Sequence, residues 1–307
     1  MKTTRRDALL LAGLAAARKA MAQTAGTNLS ITNSAGVTIR PLGDQRTPAV
    51  SVSLPNTGTD GAVVIEMPEH AWRKKAKTDD SVWFYRMYTR DAQVKGQPVW
   101  SRDGNALTYR MTVPAGVTLN AKATLDRDGV TIEYSVVNPD DVAYAEVQAP
   151  TCIKLYRPFT DVFLERTWVH HGGGLELLAS ETPERLRKNA EEWLPCRYLV
   201  RCSPDAARPP THAERDTDGI THYYKQRRAD APFIATESNP QGWIAATHSI
   251  DAPDVWTNPA RTCHHADYGV ALPANGNVRI VLKLYLLRGG PQEAWARVAD
   301  SARGRRV

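Results

Sequence analysis

The chain has 307 residues, 42% of them hydrophobic and 23% charged, with a formal net charge of +6. These values lie in the ordinary globular range and exclude a disordered or collagen-like chain. No apolar run reaches the roughly 18 residues of a membrane span, which excludes an integral membrane segment in the mature protein.

Taken from the N-terminus, Met1-Lys2-Thr3-Thr4-Arg5-Arg6-Asp7 precedes an apolar run from Ala8 to Ala17 and then Ala20-Met21-Ala22, a small-x-small cleavage pattern. Thr4-Arg5-Arg6-Asp7-Ala8-Leu9-Leu10 resembles a twin-arginine export signal, with Ala8 where Phe is common. Arg18 and Lys19, between the apolar run and the cleavage pattern, disfavour the general secretory route. The expectation is a signal peptide over residues 1–22, a mature domain over 23–307, and a periplasmic or secreted destination. In residues 1–22, Lys2, Arg5, Arg6, Arg18 and Lys19 outweigh Asp7 by four charges, so the remainder carries +2. That balance, without a basic stripe interleaved with aromatics, speaks against a nucleic-acid partner.

Beyond residue 22, β-rich segments recur between Gly, Pro, Asn and Asp clusters. Val82, Phe84, Arg86 and Tyr88 share one face of an expected strand. Asp126-Arg127-Asp128-Gly129 reads as a hairpin turn before the alternating run Val130, Ile132, Tyr134, Val136. A strand over 162–170 would put Val162, Leu164, Arg166, Trp168 and His170 on one face. Helical signals are few. One runs from Ser180 to Glu192, with Pro183 in its first turn, and another from Pro291 to Ala302. Between them, Ser203 to Gly219 reads as a loop, and Val278 to Leu286 carries the longest alternating apolar stripe. The sum is an all-β chain: one large antiparallel β-sandwich with few short helices.

The run Leu125-Asp126-Arg127-Asp128-Gly129-Val130-Thr131-Ile132-Glu133-Tyr134-Ser135-Val136-Val137-Asn138 is similar to the central hairpin of galactose mutarotase-like proteins. Arg166-Thr167-Trp168-Val169-His170 and Thr262-Cys263-His264-His265 resemble segments of a looser group of secreted bacterial proteins. The resemblance spans about residues 60–290. It implies a supersandwich fold and a carbohydrate ligand. Where aldose epimerases carry a His shortly after the hairpin, this chain has Ala149-Pro150-Thr151-Cys152.

Four of the eight histidines form two adjacent pairs, His170-His171 and His264-His265. Neighbours on a strand point to opposite faces, so at most one of each pair serves a given site. Arg166, Trp168 and His170 suit a sugar ring: a flat apolar surface beside hydrogen-bonding and acid–base groups. His171, Arg86 and Tyr88 are further substrate-binding candidates. In Cys263-His264-His265-Ala266-Asp267, Asp267 can orient a histidine and raise its basicity. His170, His264, His265 and Asp267 are therefore the expected acid–base groups, and the two pairs are expected to converge on one cleft.

Two other readings stand beside this His-dependent lyase, epimerase or hydrolase. One is a non-catalytic carbohydrate-binding sandwich. The other is a metal-assisted enzyme, which would need a third ligand such as His170, His222 or Glu214. Absent H-x-H, H-E-x-x-H and C-x-x-C spacings, the expected site holds no metal and no cofactor. Cys152, Cys196, Cys202 and Cys263 allow three disulfide pairings, among them Cys196 with Cys202 and Cys152 with Cys263. His171-Gly172-Gly173-Gly174 lacks the G-x-S-x-G turn that an esterase would need, and reads as a turn.

Overall fold

A computed structural model of the chain describes residues 29–42, 47–56, 61–86, 98–112, 116–204, 209, 211–240 and 242–303, with backbone only at 82–86 and 302–303. The signal-peptide expectation over 1–22 and Tyr88 lie outside the described residues. So does the side chain of Arg86, whose backbone pairs with His70.

The period-two alternation becomes three sheets. The ten-stranded sheet runs, edge to edge, Ile31–Thr32, Thr38–Leu42, Ala49–Ser53, Val63–Glu66, Cys152–Leu155, Cys263–His265, Asp254–Asn258, Cys196–Arg201, Thr221–Tyr224 and Ala213–Arg215. The nine-stranded sheet runs Gly174–Leu177, Thr167–His171, Phe233–Glu237, Trp243–His248, Asn277–Arg288, Gly129–Val137, Thr118–Asp126, Ala106–Thr112 and Ser101–Asp103. A four-stranded sheet is built from Val270–Leu272, Tyr144–Gln148, His70–Lys74 and Val82–Arg86. Pairing is antiparallel except between Cys196–Arg201 and Thr221–Tyr224, which run parallel.

The two large sheets enclose one hydrophobic core. Ile39, Ile65, Ile153, Tyr198 and Val200 from the ten-stranded sheet meet Leu119, Ile132, Tyr134, Leu282 and Leu284 from the other. Along Asn277–Arg288, Ile280, Leu282, Leu284 and Leu286 point inward, as the alternation requires. Asp126 and Gly129 are paired across the expected tight turn. Gly129 has φ +144°, and a Cβ there would lie 2.0 Å from the Leu284 carbonyl oxygen, so no other residue fits without moving the neighbouring strand.

On its outward side the nine-stranded sheet receives the helix Pro291–Arg303. Phe233, Ala235, Ile244, Ala246 and Tyr285 pack there against Ala294 and Val298. No helix among the described residues is long and apolar enough to cross a membrane.

Three local expectations are corrected. The strand expected over 162–170 begins only at Thr167. The Asp161 carboxylate accepts the N–H groups of Glu165 (3.0 Å) and Arg166 (2.9 Å) and the Thr167 hydroxyl (2.8 Å), which holds the preceding segment in a turn. The helix expected from Ser180 to Glu192 divides into a 3-10 turn at Pro183–Arg187 and a short helix at Ala190–Trp193. Asn189 and Glu192 form a capping box that starts the second piece anew. Inside the expected loop Ser203–Gly219, Ala213–Arg215 pairs with Thr221–Tyr224 as a hairpin. Its strand is exposed throughout, so no apolar alternation marked it.

Candidate functional site on the outer face of the ten-stranded sheet

Directly paired residues share a face of a sheet, so the register assembles the site. On the outer side of the ten-stranded sheet, Arg40 faces Ser51, Ser51 faces Val64, and Val64 faces Lys154. The row continues through Cys263 and Asn258. One register step beyond the Tyr198–Thr257 pair it reaches Arg197, then His222 and Glu214. A second row alongside holds Glu66 opposite Cys152. His265 follows, opposite Trp256, and then Leu199 and Tyr224. The face is polar across nearly its whole width.

It has a buried half and a half-open half. In the buried half, the Lys154 ammonium donates to Glu66, both side chains being almost wholly enclosed. Burial pushes the Glu66 carboxyl up, and Lys154 pulls it part of the way back. Burial alone would depress Lys154, but the bond and charge of Glu66 hold it above the usual ammonium value.

Beside this pair sits a sulfur–imidazole group. His265 Nε2 is 3.4 Å from Cys263 Sγ, and its Nδ1 is 3.2 Å from Asp267 Oδ2. Asp267 Oδ1 accepts the Thr151 N–H at 2.9 Å, which fixes the carboxylate. Ligating atoms of Cys152, Cys263 and His265 all lie within 4.8 Å of one another. The hydrogen bond shared with Cys263, then burial, push the Cys152 thiol well up. The same bond pulls Cys263 well down against burial, helped by the charge of His265. Burial would lower His265; the charge of Cys263 and the bond to Asp267 outweigh it and carry the ring to about 10.

In the half-open half, Trp256 stacks on His265 with ring centroids 3.7 Å apart and planes 6° from parallel. The Arg197 guanidinium carbon lies 5.5 Å from the Trp256 ring centre. His222 Nε2 is 2.9 Å from Asp216 Oδ2, whose other oxygen accepts the N–H groups of Asp218 and Ile220 and shapes the hairpin turn.

Five buried side-chain polar atoms among the described residues have no hydrogen-bond partner, and Ser51 Oγ, Glu66 Oε2 and Arg197 Nε, all on this face, are three of them. An unmet buried polar atom costs about 1–3 kcal/mol. These three share the face with the Lys154–Glu66 pair and the His265 group.

The sequence-predicted residues divide between three places. His265 and Asp267 belong to the face just described. His264 points the other way, into the core, where Thr236 Oγ1 is 2.8 Å from its Nε2 and Thr247 Oγ1 is 3.2 Å from its Nδ1. Burial holds it neutral, with its pKa at about 3. His170, Trp168 and Arg166 lie across the sandwich. His170 Nδ1 is 2.8 Å from Asp230 Oδ2, and its ring stacks on Trp295 of the C-terminal helix at 3.8 Å. The Trp168 indole N–H donates to Glu237 at 2.9 Å. Arg166 donates to the carbonyls of Glu237 and Thr160, and His171 Nδ1 is 2.7 Å from the Arg228 carbonyl oxygen.

The expected convergence of the two histidine pairs therefore does not occur. They lie on different sheets, and alternation turns His170 and His265 outward on opposite sides of the sandwich. Gly172 and Gly173 form the expected turn, with φ +60° and +79° and N–H groups directed to Asp230. His222 and Glu214 share the site's face, but their strands stand three and four places from Cys263–His265.

The sequence reading missed Glu66, Lys154, Trp256 and Arg197. The available signal was a lone charge inside an apolar strand, as in Val63-Val64-Ile65-Glu66 and Cys152-Ile153-Lys154-Leu155. Cys152 and Cys263 do come together, as free thiols, whereas Cys196 and Cys202 are each buried as free thiols, their pKa values pushed by burial to about 12.

No protein-family model and no curated protein sequence matches the chain. Solved structures resemble the chain at low identity and with TM-scores below 0.5. An alpha-N-acetylgalactosaminidase from Bifidobacterium bifidum, in complex with GalNAc, is 14% identical with a TM-score of 0.49; the match covers 91% of this chain and 39% of the other. This chain thus spans well under half of that enzyme. A galactose mutarotase-like protein from Lactobacillus casei is 11% identical with a TM-score of 0.43, covering 84% and 99% of the two chains. A galactose mutarotase related enzyme from Lactobacillus acidophilus is 10% identical with a TM-score of 0.46, covering 84% and 96%. The likeness assigns neither activity nor ligand to this chain.

Proposed function

We propose that this chain binds carbohydrate on the outer face of the ten-stranded sheet, over Trp256, Arg197 and Asn258. The observation that carries the reading is the buried Arg197 Nε, which has no acceptor, beside a half-buried tryptophan in the neighbouring row. A hydroxyl-rich or acidic sugar supplies what that position lacks. Its oxygens accept from the guanidinium, and its C–H face packs on the indole. A planar, permanently charged fork suits a uronate carboxylate in particular.

The test is a binding screen against neutral glycans and uronates, followed by variants on both outer faces. Trp256→Ala and Arg197→Ala should each weaken binding by about tenfold or more, as loss of about 1.4 kcal/mol requires. Trp168→Ala, whose indole N–H is taken by Glu237 on the opposite side, should leave it unchanged. Loss of binding in Trp168→Ala with retention in Trp256→Ala would overturn the assignment. Turnover of a library member abolished by His265→Ala would convert the reading from binder to enzyme on the same face.

A further inference from the structure

We propose that Cys152, Cys263 and His265 form a binding site for a thiophilic divalent cation, Zn²⁺ in the first instance, with Asp267 orienting the histidine. The inference is independent of any carbohydrate ligand. It rests on the buried half of the face, and of the half-open half only Trp256 touches it, through its stacking on His265.

Four observations carry it. The first is convergence: the two sulfur atoms and one imidazole nitrogen lie within 4.8 Å of one another, and all three residues are buried. The second is spacing. A tetrahedral centre with Zn–S near 2.3 Å and Zn–N near 2.0 Å sets sulfur and nitrogen about 3.5 Å apart; Cys263 Sγ and His265 Nε2 are 3.4 Å apart.

The third is the carboxylate behind the histidine. His265 presents Nε2 to the sulfurs and commits Nδ1 to Asp267, and Asp267 is itself anchored on the Thr151 N–H. A carboxylate behind a histidine fixes the tautomer and ring direction that a metal requires. Trp256, stacked on the ring, holds its plane.

The fourth is a neighbouring orphan. Glu66 Oε2 is buried without a partner, and Glu66 also lies within 4.8 Å of Cys152 as part of a set with Glu69. Two thiolates and one imidazole leave a fourth position open for a water, which the free Glu66 oxygen beside Cys152 could accept from. Two sulfurs and a nitrogen select zinc-like ions over Mg²⁺ or Ca²⁺, which prefer oxygen.

A disulfide between the same cysteines fits less well. Ile153 pairs with His264 and Lys154 with Cys263, so Cys152 and Cys263 are diagonal rather than directly opposed. Diagonal positions stand roughly 7–8 Å apart, whereas a disulfide usually brings Cα atoms to about 4.4–6.8 Å. A metal ion spans the diagonal without moving the strands.

The experiment uses the full chain, reduced, stripped with chelator and titrated with Zn²⁺, with Co²⁺ as a spectroscopic probe. Stoichiometric binding is expected, together with a thiolate-to-cobalt charge-transfer band and the intense visible bands of four-coordinate Co²⁺. Cys152→Ser and Cys263→Ser should each diminish the charge-transfer band. Cys196→Ser, on the inward side of its strand, should leave it unchanged. Asp267→Asn should keep the band while weakening Zn²⁺ by roughly 10–100-fold, and it tests the site even where a cysteine variant fails to fold. The proposal is overturned by absence of stoichiometric uptake, by a Co²⁺ spectrum indifferent to Cys152→Ser, or by a Cys152–Cys263 disulfide in the chain isolated from its host.

Discussion

On the outer face of the nine-stranded sheet, Asp230 takes the N–H groups of Gly172 and Gly173 and the ring of His170, Trp168 donates to Glu237, and Trp295 lies flat on His170. On the outer face of the ten-stranded sheet stand similar residues: a histidine with its aspartate, a stacked tryptophan, an arginine. There, however, Ser51 Oγ, Glu66 Oε2 and Arg197 Nε are buried without partners. Residue type does not distinguish the faces; satisfaction does. The first face spends its polar groups on docking a turn and a helix. The second keeps buried hydrogen-bonding capacity that the fold leaves unused, at a cost of about 1–3 kcal/mol for each such atom. That is why the ligand and metal proposals both fall on the same face.

The largest effect that sharpens this contrast is expected from Lys154→Ala. Glu66 would be left buried with neither oxygen paired, and breaking an enclosed ion pair from one side costs about 3–5 kcal/mol. Replacing both members by methionine should recover most of that loss, since two apolar side chains of similar size leave no charge stranded. Denaturant midpoints of Lys154→Ala and of the double methionine variant, against the wild type, provide the check. A Lys154→Ala protein of unchanged stability would mean that water or another cation reaches Glu66, and the buried half of the site would have to be redrawn as open.

Much of the fold was legible because it rests on local rules. The stripe from Val278 to Leu286, the turn before Gly129 and the terminal helix each announce themselves within a dozen residues. The alternation rule also separates His264 from His265, one inward and one outward. The site was legible only in part because it is made by strand order, which does not follow the chain. Glu66 and Lys154 are 88 residues apart, and they meet because Cys152–Leu155 inserts between Val63–Glu66 and Cys263–His265. Trp256 and Arg197 become neighbours by the same route. The alternation from Val162 puts Arg166 and Trp168 on one strand face, but the Asp161 carboxylate just before it ties three following groups into a turn. The two histidine pairs looked alike in sequence; the sheets they join differ.

The next effect in size concerns pH and sets His264 apart from its neighbour. Burial holds folded His264 neutral down to about 3, while in the unfolded chain it takes a proton from about 6.5 downward. The unfolded state therefore binds more protons across that window, and stability falls as pH drops through it, by about 1.4 kcal/mol per pH unit from this group. His264→Gln, able to keep contact with Thr236 and Thr247, should flatten the slope between pH 6.5 and 5. Glu176 and Glu181, held below their ordinary values beside Lys225 and Arg227 although burial opposes it, contribute stability that is lost only at more acid pH, as each is protonated. Comparing wild type and variant by thermal melts across the window isolates His264. Equal slopes would show that water reaches the ring and that the inter-sheet core is less closed than the packing indicates.

The smallest effect is the control on the other face. Glu133 and Arg279 form an ion pair on the outer side of the nine-stranded sheet, at diagonal positions, Glu133 being paired with Val281 and Arg279 with Ser135. It has the same charges as Glu66 and Lys154, but the side chains are 29% and 65% exposed, against 4% and 10% for the enclosed pair. Water already solvates both charged groups, so neither is stranded when the other is removed. Arg279→Ala should cost about 0.2–1 kcal/mol, and even that should vanish at about 1 M salt, where the Debye length shrinks to roughly 3 Å. The Lys154→Ala loss should persist in the same salt, because screening ions do not enter the enclosed pair. Urea melts of both variants at low and high ionic strength read the two effects together. Equal losses in Arg279→Ala and Lys154→Ala, or equal sensitivity to salt, would show that burial does not separate the two faces, and the functional assignment built on unmet polar atoms would lose its physical basis.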